Sequence, residues 1–135
     1  MKKKIFFYLL IVLYLCMKQV NSFENKIILK VNNEIITTFD VKQEEKYLLI
    51  LNQNLKKIDP NKLSILSRDS ILKEKIKEIE ILKYYQLEKV LDDKNLKKII
   101  KNLYLTLGFQ EENKFKNYLN NQNLKFSLVK KKLAI

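Results

Sequence analysis

The chain has 135 residues, which is enough for one small domain and an export signal. It contains one Cys and no His, which excludes an internal disulfide, a zinc site built on His and Cys, and any catalytic triad that needs imidazole. The formal net charge is +12, but lysines and glutamates are interleaved, so the charge predicts a solvated surface and no nucleic-acid partner.

Residues 1–22 have the pattern of a secretory signal peptide. Residues 2–4 are all lysine, and residues 5–17 form an apolar core that is short for a membrane span. The pattern predicts export and cleavage between Ser22 and Phe23. An uncleaved N-terminal membrane anchor is the alternative.

The next segment predicts a β-hairpin followed by a helix. Residues 27–31 and 34–36 are rich in β-branched residues, and Asn32-Asn33 between them suits a tight turn. Thr37 and Asp40 have the spacing of a capping box, so we expect a helix over residues 38–54. Its polar stretch at residues 42–46 is expected to be solvated. Its predicted buried edge is Val41, Tyr47, Leu48, Leu51 and Leu55.

Residues 64–91 contain no Gly and no Pro, and their composition favours a helix. This predicted helix is the longest in the chain, and we expect the other segments to pack around it. One face of the long helix is expected to pack on the helices before and after it. Ile81 and Tyr84 lie on a different side of the same helix. The predicted buried face carries Leu72, Ile76, Ile79, Leu82 and Val90.

A connector is predicted at residues 56–62, before the long helix, and a stop at residues 91–93, at its end. Three further helices are predicted after this stop. They cover residues 94–107, 111–121 and 126–135, with Gly108 placed to cap the first of them. The predicted fold class is mainly α: a helical bundle around one long central helix with a small N-terminal β-hairpin. The expected inward residues are Leu96, Ile99, Ile100, Leu103, Phe115, Tyr118, Leu119, Leu128, Val129 and Leu133.

The sequence IILKVNNEIITTFDV at residues 27–41 resembles the opening of the SurA-like family of periplasmic chaperones and foldases. The order of helices that follows is also similar. The resemblance implies that residues 23–135 form the N-terminal helical chaperone domain of that family, in the periplasm. It also implies that the chain ends before any parvulin domain, the part that carries prolyl isomerase activity in the family.

The implied function is ATP-independent binding of unfolded outer-membrane or secreted polypeptides, with assistance to their folding and delivery. One alternative is that the chain is the N-terminal fragment of a parvulin-type peptidyl-prolyl isomerase. Another is a basic helical module that binds a membrane surface, and transient contact with membranes is compatible with the first function too. The oligomeric state is left open.

No residue set predicts catalysis, a metal site or a cofactor. Paired carboxylates at residues 44–45, 78 and 80, 92–93 and 111–112 have nearby lysines and are interpreted as surface or capping groups. Aromatic residues are the better candidates for a site, although most are expected in the core. The candidate client-binding residues are Tyr47, Ile81, Tyr84, Tyr85, Tyr104 and Phe109, with Tyr84 the strongest.

Overall fold

A computed structural model describes residues 24–92 and 94–135. The predicted signal peptide and the Ser22–Phe23 cleavage site lie outside the described residues. The described part is mainly α-helical with one small hairpin, which confirms the predicted fold class. None of its helices has the length and apolar character needed to cross a membrane. The elements are β1 Ile27–Val31, β2 Glu34–Thr37, α1 Thr38–Leu51, a 3-10 helix Gln53–Lys57, α2 Pro60–Leu82, α3 Leu87–Leu91, α4 Lys94–Thr106, α5 Glu112–Asn121 and α6 Phe126–Ala134.

The predicted hairpin and its capping box are both confirmed. Strands β1 and β2 pair antiparallel, with an irregularity between Ile27 and Leu29. Asn32 in the turn has φ of 54°, which asparagine tolerates better than most residues. The Asp40 amide donates to Thr37 Oγ1 over 3.3 Å, and the Thr37 amide donates to Asp40 Oδ2 over 2.8 Å. Strand β2 therefore passes directly into α1, which ends at Leu51 and not at residue 54 as predicted.

The long helix was predicted over residues 64–91, and both ends were wrong. It begins at Pro60, because Asp59 Oδ1 accepts the amide hydrogens of Asn61 and Lys62 and proline fits the first helical position. It ends at Leu82, where the chain forms a turn before the short helix α3. The predicted connector at residues 56–62 therefore contains a helix start, and Tyr84 lies in the turn.

The predicted buried face of the long helix was right at Leu72, which packs on the hairpin side of the helix, and wrong at two other positions. Ile76 and Leu82 are exposed, whereas Ser67, Ile71 and Glu78 are buried. Helix α2 packs on α1 and on both strands through this face, which mixes polar and apolar residues. The face that carries Ile76 is therefore partly exposed. The helix over residues 94–107 was expected against α2, but α4 packs mainly on α5 and α6.

Two hydrophobic cores lie one after the other along the chain, and α1 contributes to both. The first core contains Ile28, Val31, Ile36, Val41, Ile71 and Leu72. The second is built on Ile50, Phe115, Leu119, Leu124 and Val129. Val41 and Ile50 are therefore at opposite ends of one helix and in different cores, which makes α1 the element that joins the two halves.

Helices α4 and α5 each end in a Schellman motif. Gly108 has φ of 86°, and the Phe109 amide donates to the Tyr104 carbonyl over 2.9 Å. Asn123 has φ of 54°, and the Leu124 amide donates to the Leu119 carbonyl over 2.9 Å. The predicted cap at Gly108 is confirmed. The predicted inward positions Ile99 and Leu51 are exposed, which corrects those two assignments.

Candidate functional site

An open cleft of about 1070 Å³ lies between α1, α2 and the C-terminal helices. Its size is in the range of ligand-binding clefts in proteins. Apolar side chains come from both halves of the molecule, since Ile71 belongs to the first core and Leu124 to the second. The apolar lining residues are Phe39, Ile71, Leu91, Leu124 and Leu128.

One wall of the cleft is a lysine–glutamate cluster, formed by Glu44 of α1, Glu74 and Glu78 of α2, and Lys131 and Lys132 of α6. Lys132 Nζ lies 2.5 Å from Glu44 Oε2 and also pairs with Glu74. Glu44 is 1% exposed, and the Lys132 side chain 4%. A buried charge is costly without a partner, so this pairing holds α6 against α1 and α2.

The cluster extends to the hairpin through Lys75. Lys75 Nζ lies 3.1 Å from Glu34 Oε2 and 3.3 Å from Glu78 Oε2. Glu78 also pairs with Lys131. The other oxygen of the Glu44 carboxylate is held by α2, because Ser70 Oγ donates to Glu44 Oε1 over 2.7 Å. The polar contacts thus connect β2, α1, α2 and α6 around one end of the cleft.

The buried carboxylates correct the prediction that residues 42–46 are solvated and that residues 44–45 and 78 are surface groups. Glu44, Glu45 and Glu78 are all buried. Sequence reasoning placed them outside because an isolated carboxylate is too costly to bury. Glu78 has one lysine nearby, Lys75, but the other lysines that compensate Glu44 and Glu78 are on α6, and no local pattern indicates such distant pairs.

Burial and the charged neighbours perturb three groups of this region. Burial, and then the charges of Glu44 and Glu74, raise the pKa of Tyr47 to about 12. Burial would lower the pKa of Lys75, but its hydrogen bond to Glu34 and the nearby charges outweigh burial and raise it. Burial would raise the pKa of Glu78, but pairing with Lys131 and Lys75 outweighs it and lowers the pKa. Tyr47 is neutral at neutral pH, and its ring centroid lies 5.1 Å from Lys132 Nζ.

Glu78→Gln is expected to reduce the acid sensitivity of folding. The pKa of Glu78 in the folded state lies below the ordinary value of 4.5. Its pairing therefore stabilises the folded state fully at pH values above 4.5. This stability is lost as the pH falls through the folded-state pKa. Urea unfolding across acidic and neutral pH should therefore show a smaller acid-induced loss in the variant than in the wild type. Equal losses in both proteins would contradict the assignment, and Glu80→Gln, on the exposed side, is the matched control.

The structure separates the six predicted client-binding residues into two groups. Tyr47, Tyr104 and Phe109 are partly buried and pack on the second core. Tyr84 and Tyr85 are 80% and 64% exposed in the turn after α2, and Ile81 in the last turn of α2 is half-buried. None of the six lines the cleft. The cleft and its cluster are therefore features that sequence reasoning did not find.

The groups that line the cleft are apolar side chains, carboxamides, hydroxyls and mostly paired charges. Within residues 24–92 and 94–135, no group of three or more His, Cys, Asp and Glu side chains could hold a metal ion. The carboxylates of the cluster are paired with lysines and so are held in place as structural charges. The arrangement offers shape, apolar surface and fixed charges to a partner.

Comparison with known proteins finds no relative. No protein-family model matches this sequence, no curated protein matches it, and no solved structure matches the fold. The resemblance at residues 27–41 therefore stays a prediction, and the site must be argued from its own geometry.

Proposed function

We propose that this protein is an ATP-independent chaperone domain that acts in the periplasm on unfolded outer-membrane or secreted polypeptides. It would keep them soluble and assist their folding and delivery. The observation that carries this proposal is a surface on and beside α2, named here the apolar surface, which consists of Ile65, Ile76, Tyr84 and Tyr85.

The side chains of the apolar surface are about half exposed or more. Ile65 is 57% exposed and Ile76 48% exposed, and both lie on one face of α2. Tyr84 and Tyr85 follow at the C-terminal end of the same helix. Several large apolar side chains exposed along one helix and the turn after it can contact another polypeptide.

The chemistry of these side chains also supports binding of unfolded chains. Tyrosine presents a large apolar body and a polar edge, so it can contact many different sequences without requiring one geometry. Isoleucine adds apolar area with little side-chain entropy to lose on binding. The resemblance of residues 27–41 to the SurA-like family agrees with this use and supplies the expected client class.

The direct measurement is light scattering from an unfolded outer-membrane protein that is diluted into buffer with or without this chain. The wild type is expected to suppress aggregation. Combined replacement of Ile76, Tyr84 and Tyr85 by serine should weaken client binding about tenfold, because removing apolar contact area reduces the hydrophobic contribution to binding. All three side chains are exposed, so the fold should be retained, and circular dichroism checks this.

A control uses apolar residues elsewhere whose exposure is similar to that of Ile76. Ile99 and Leu105 on α4 are each nearly half exposed, and their replacement by serine should leave suppression unchanged. If folded wild type in excess does not suppress aggregation, the proposed function is wrong. If the α4 control loses as much activity as the α2 variant, the assignment to the apolar surface is wrong.

A further inference from the structure

We propose that the cleft between α1, α2 and α6 binds client segments in which an acidic residue stands next to apolar ones. This inference rests on the proposed function and adds a charge preference to it. The apolar surface beside α2 is expected to hold client chains through hydrophobic contact, whereas the cleft would select among their segments.

The uncharged lining of the cleft suits an extended peptide. The apolar residues Phe39, Leu91 and Leu128 offer contact surface to apolar side chains, and Phe39 is 52% exposed at the start of α1. Carboxamide and hydroxyl groups also line the cleft and can donate to and accept from a peptide backbone. These polar groups belong to Gln43, Asn120, Asn123 and Ser127.

Every carboxylate that lines the cleft already has a partner. Asp40 accepts hydrogen bonds from Thr37 in the capping box. The carboxylates of Glu44 and Glu74 share Lys132, and Glu78 pairs with Lys75 and Lys131. Three lysines therefore offset most, but not all, of the negative charge of these carboxylates, and hydrogen bonds or ion pairs already occupy each of them.

Two of the five lysines that line the cleft remain without a carboxylate. Lys46 on α1 and Lys125 at the N-terminal end of α6 have no ion-pair partner in the described part of the chain. They come from opposite halves of the molecule. A client carboxylate beside an apolar side chain could pair with either ammonium group while the apolar part contacts Phe39 or Leu128. The lining as a whole has five lysines against four carboxylates, and this small positive excess, together with the two unpaired ammonium groups, favours an acidic partner.

The net charge of +12 attracts any acidic peptide, so the test must separate the cleft from this general attraction. Short fluorescent peptides of one apolar sequence would carry glutamate, glutamine or lysine at the same positions, and binding to the full chain would be measured by anisotropy. The glutamate peptide should bind about fivefold more tightly than the lysine peptide. This preference should decrease as salt rises.

The decisive comparison is between two variants of equal net charge. Replacing both Lys46 and Lys125 by glutamine should remove the preference and leave binding of the glutamine peptide unchanged. Replacing Lys56 and Lys62 by glutamine, both exposed and outside the cleft, should leave the preference intact. Lys46 and Lys125 have no partner to lose, so both variants should fold.

The outcomes separate this inference from the proposed function. If all peptides bind equally, or if both double variants lose the preference alike, the cleft has no charge selectivity and the inference is overturned. Aggregation suppression can persist in either case, which would leave the proposed function standing. If no peptide binds and aggregation is not suppressed, the proposed function fails as well.

Discussion

Phe115→Ala is expected to lower the free energy of unfolding by about 3–5 kcal/mol, the range for truncation of a fully buried aromatic side chain. Phe115 is 0% exposed and lies at the centre of the second core. Its ring centroid lies 5.5 Å from that of Phe109, and 6.4 Å from those of Tyr104 and Phe126. Each of these ring pairs adds stability beyond buried area, and nothing else can fill the space the ring leaves.

This loss should be a large part of the total free energy of unfolding, which is about 5–15 kcal/mol for natural domains. Urea unfolding followed by circular dichroism measures it. Phe39→Ala is the control, because Phe39 is half exposed and its truncation should cost under about 1 kcal/mol. A cost for Phe115→Ala as small as the control's would mean that the second core is not packed as described.

Lys132→Met is expected to destabilise the chain by about 3–5 kcal/mol at neutral pH, because it leaves a buried carboxylate without its cation. Glu44 retains its hydrogen bond from Ser70 but loses the ammonium 2.5 Å from Oε2, and Glu74 loses the same partner. Methionine has a similar volume, so the effect reports charge and not a cavity.

Two comparisons make this prediction specific. Lys57→Met removes an exposed lysine and should change the stability by no more than about 0.5 kcal/mol. Replacing Glu44 and Glu74 by glutamine in the Lys132→Met background should recover much of the loss, because no unpaired charge remains. A loss in Lys132→Met that is not recovered in the triple variant would contradict the role of the cluster.

Much of the fold could be predicted from sequence because several of its determinants are local. Thr37 and Asp40 are three residues apart and satisfy each other's amides, so the start of α1 is visible in a short segment. Gly108 likewise indicates the end of α4, since few other residues adopt positive φ without strain. Helical periodicity placed Phe115 and Leu119 correctly in the core.

The parts that could not be predicted depend on contacts between distant segments. Nothing in the composition of residues 83–86 forces a turn, but α3 packs on α6, and this contact accompanies the break after Leu82. The mixed polar face of α2 is buried because Glu74 and Glu78 find lysines on α6. Periodicity assigns buried faces from apolar residues alone, so it selected the face that carries Ile76 and left the cleft undetected.

The two cores follow each other along the chain, and this order has a consequence for folding during synthesis. All residues of the first core lie between Ile28 and Leu72, so that unit can form before any of α4, α5 or α6 has emerged. Once the first core has formed, α1 is held in place and exposes Tyr47 and Ile50. The later helices can then pack on these two side chains. Folding can therefore proceed from the first core onward, and the pairing of Lys131 and Lys132 with α2 would join the later helices to a unit that is already formed.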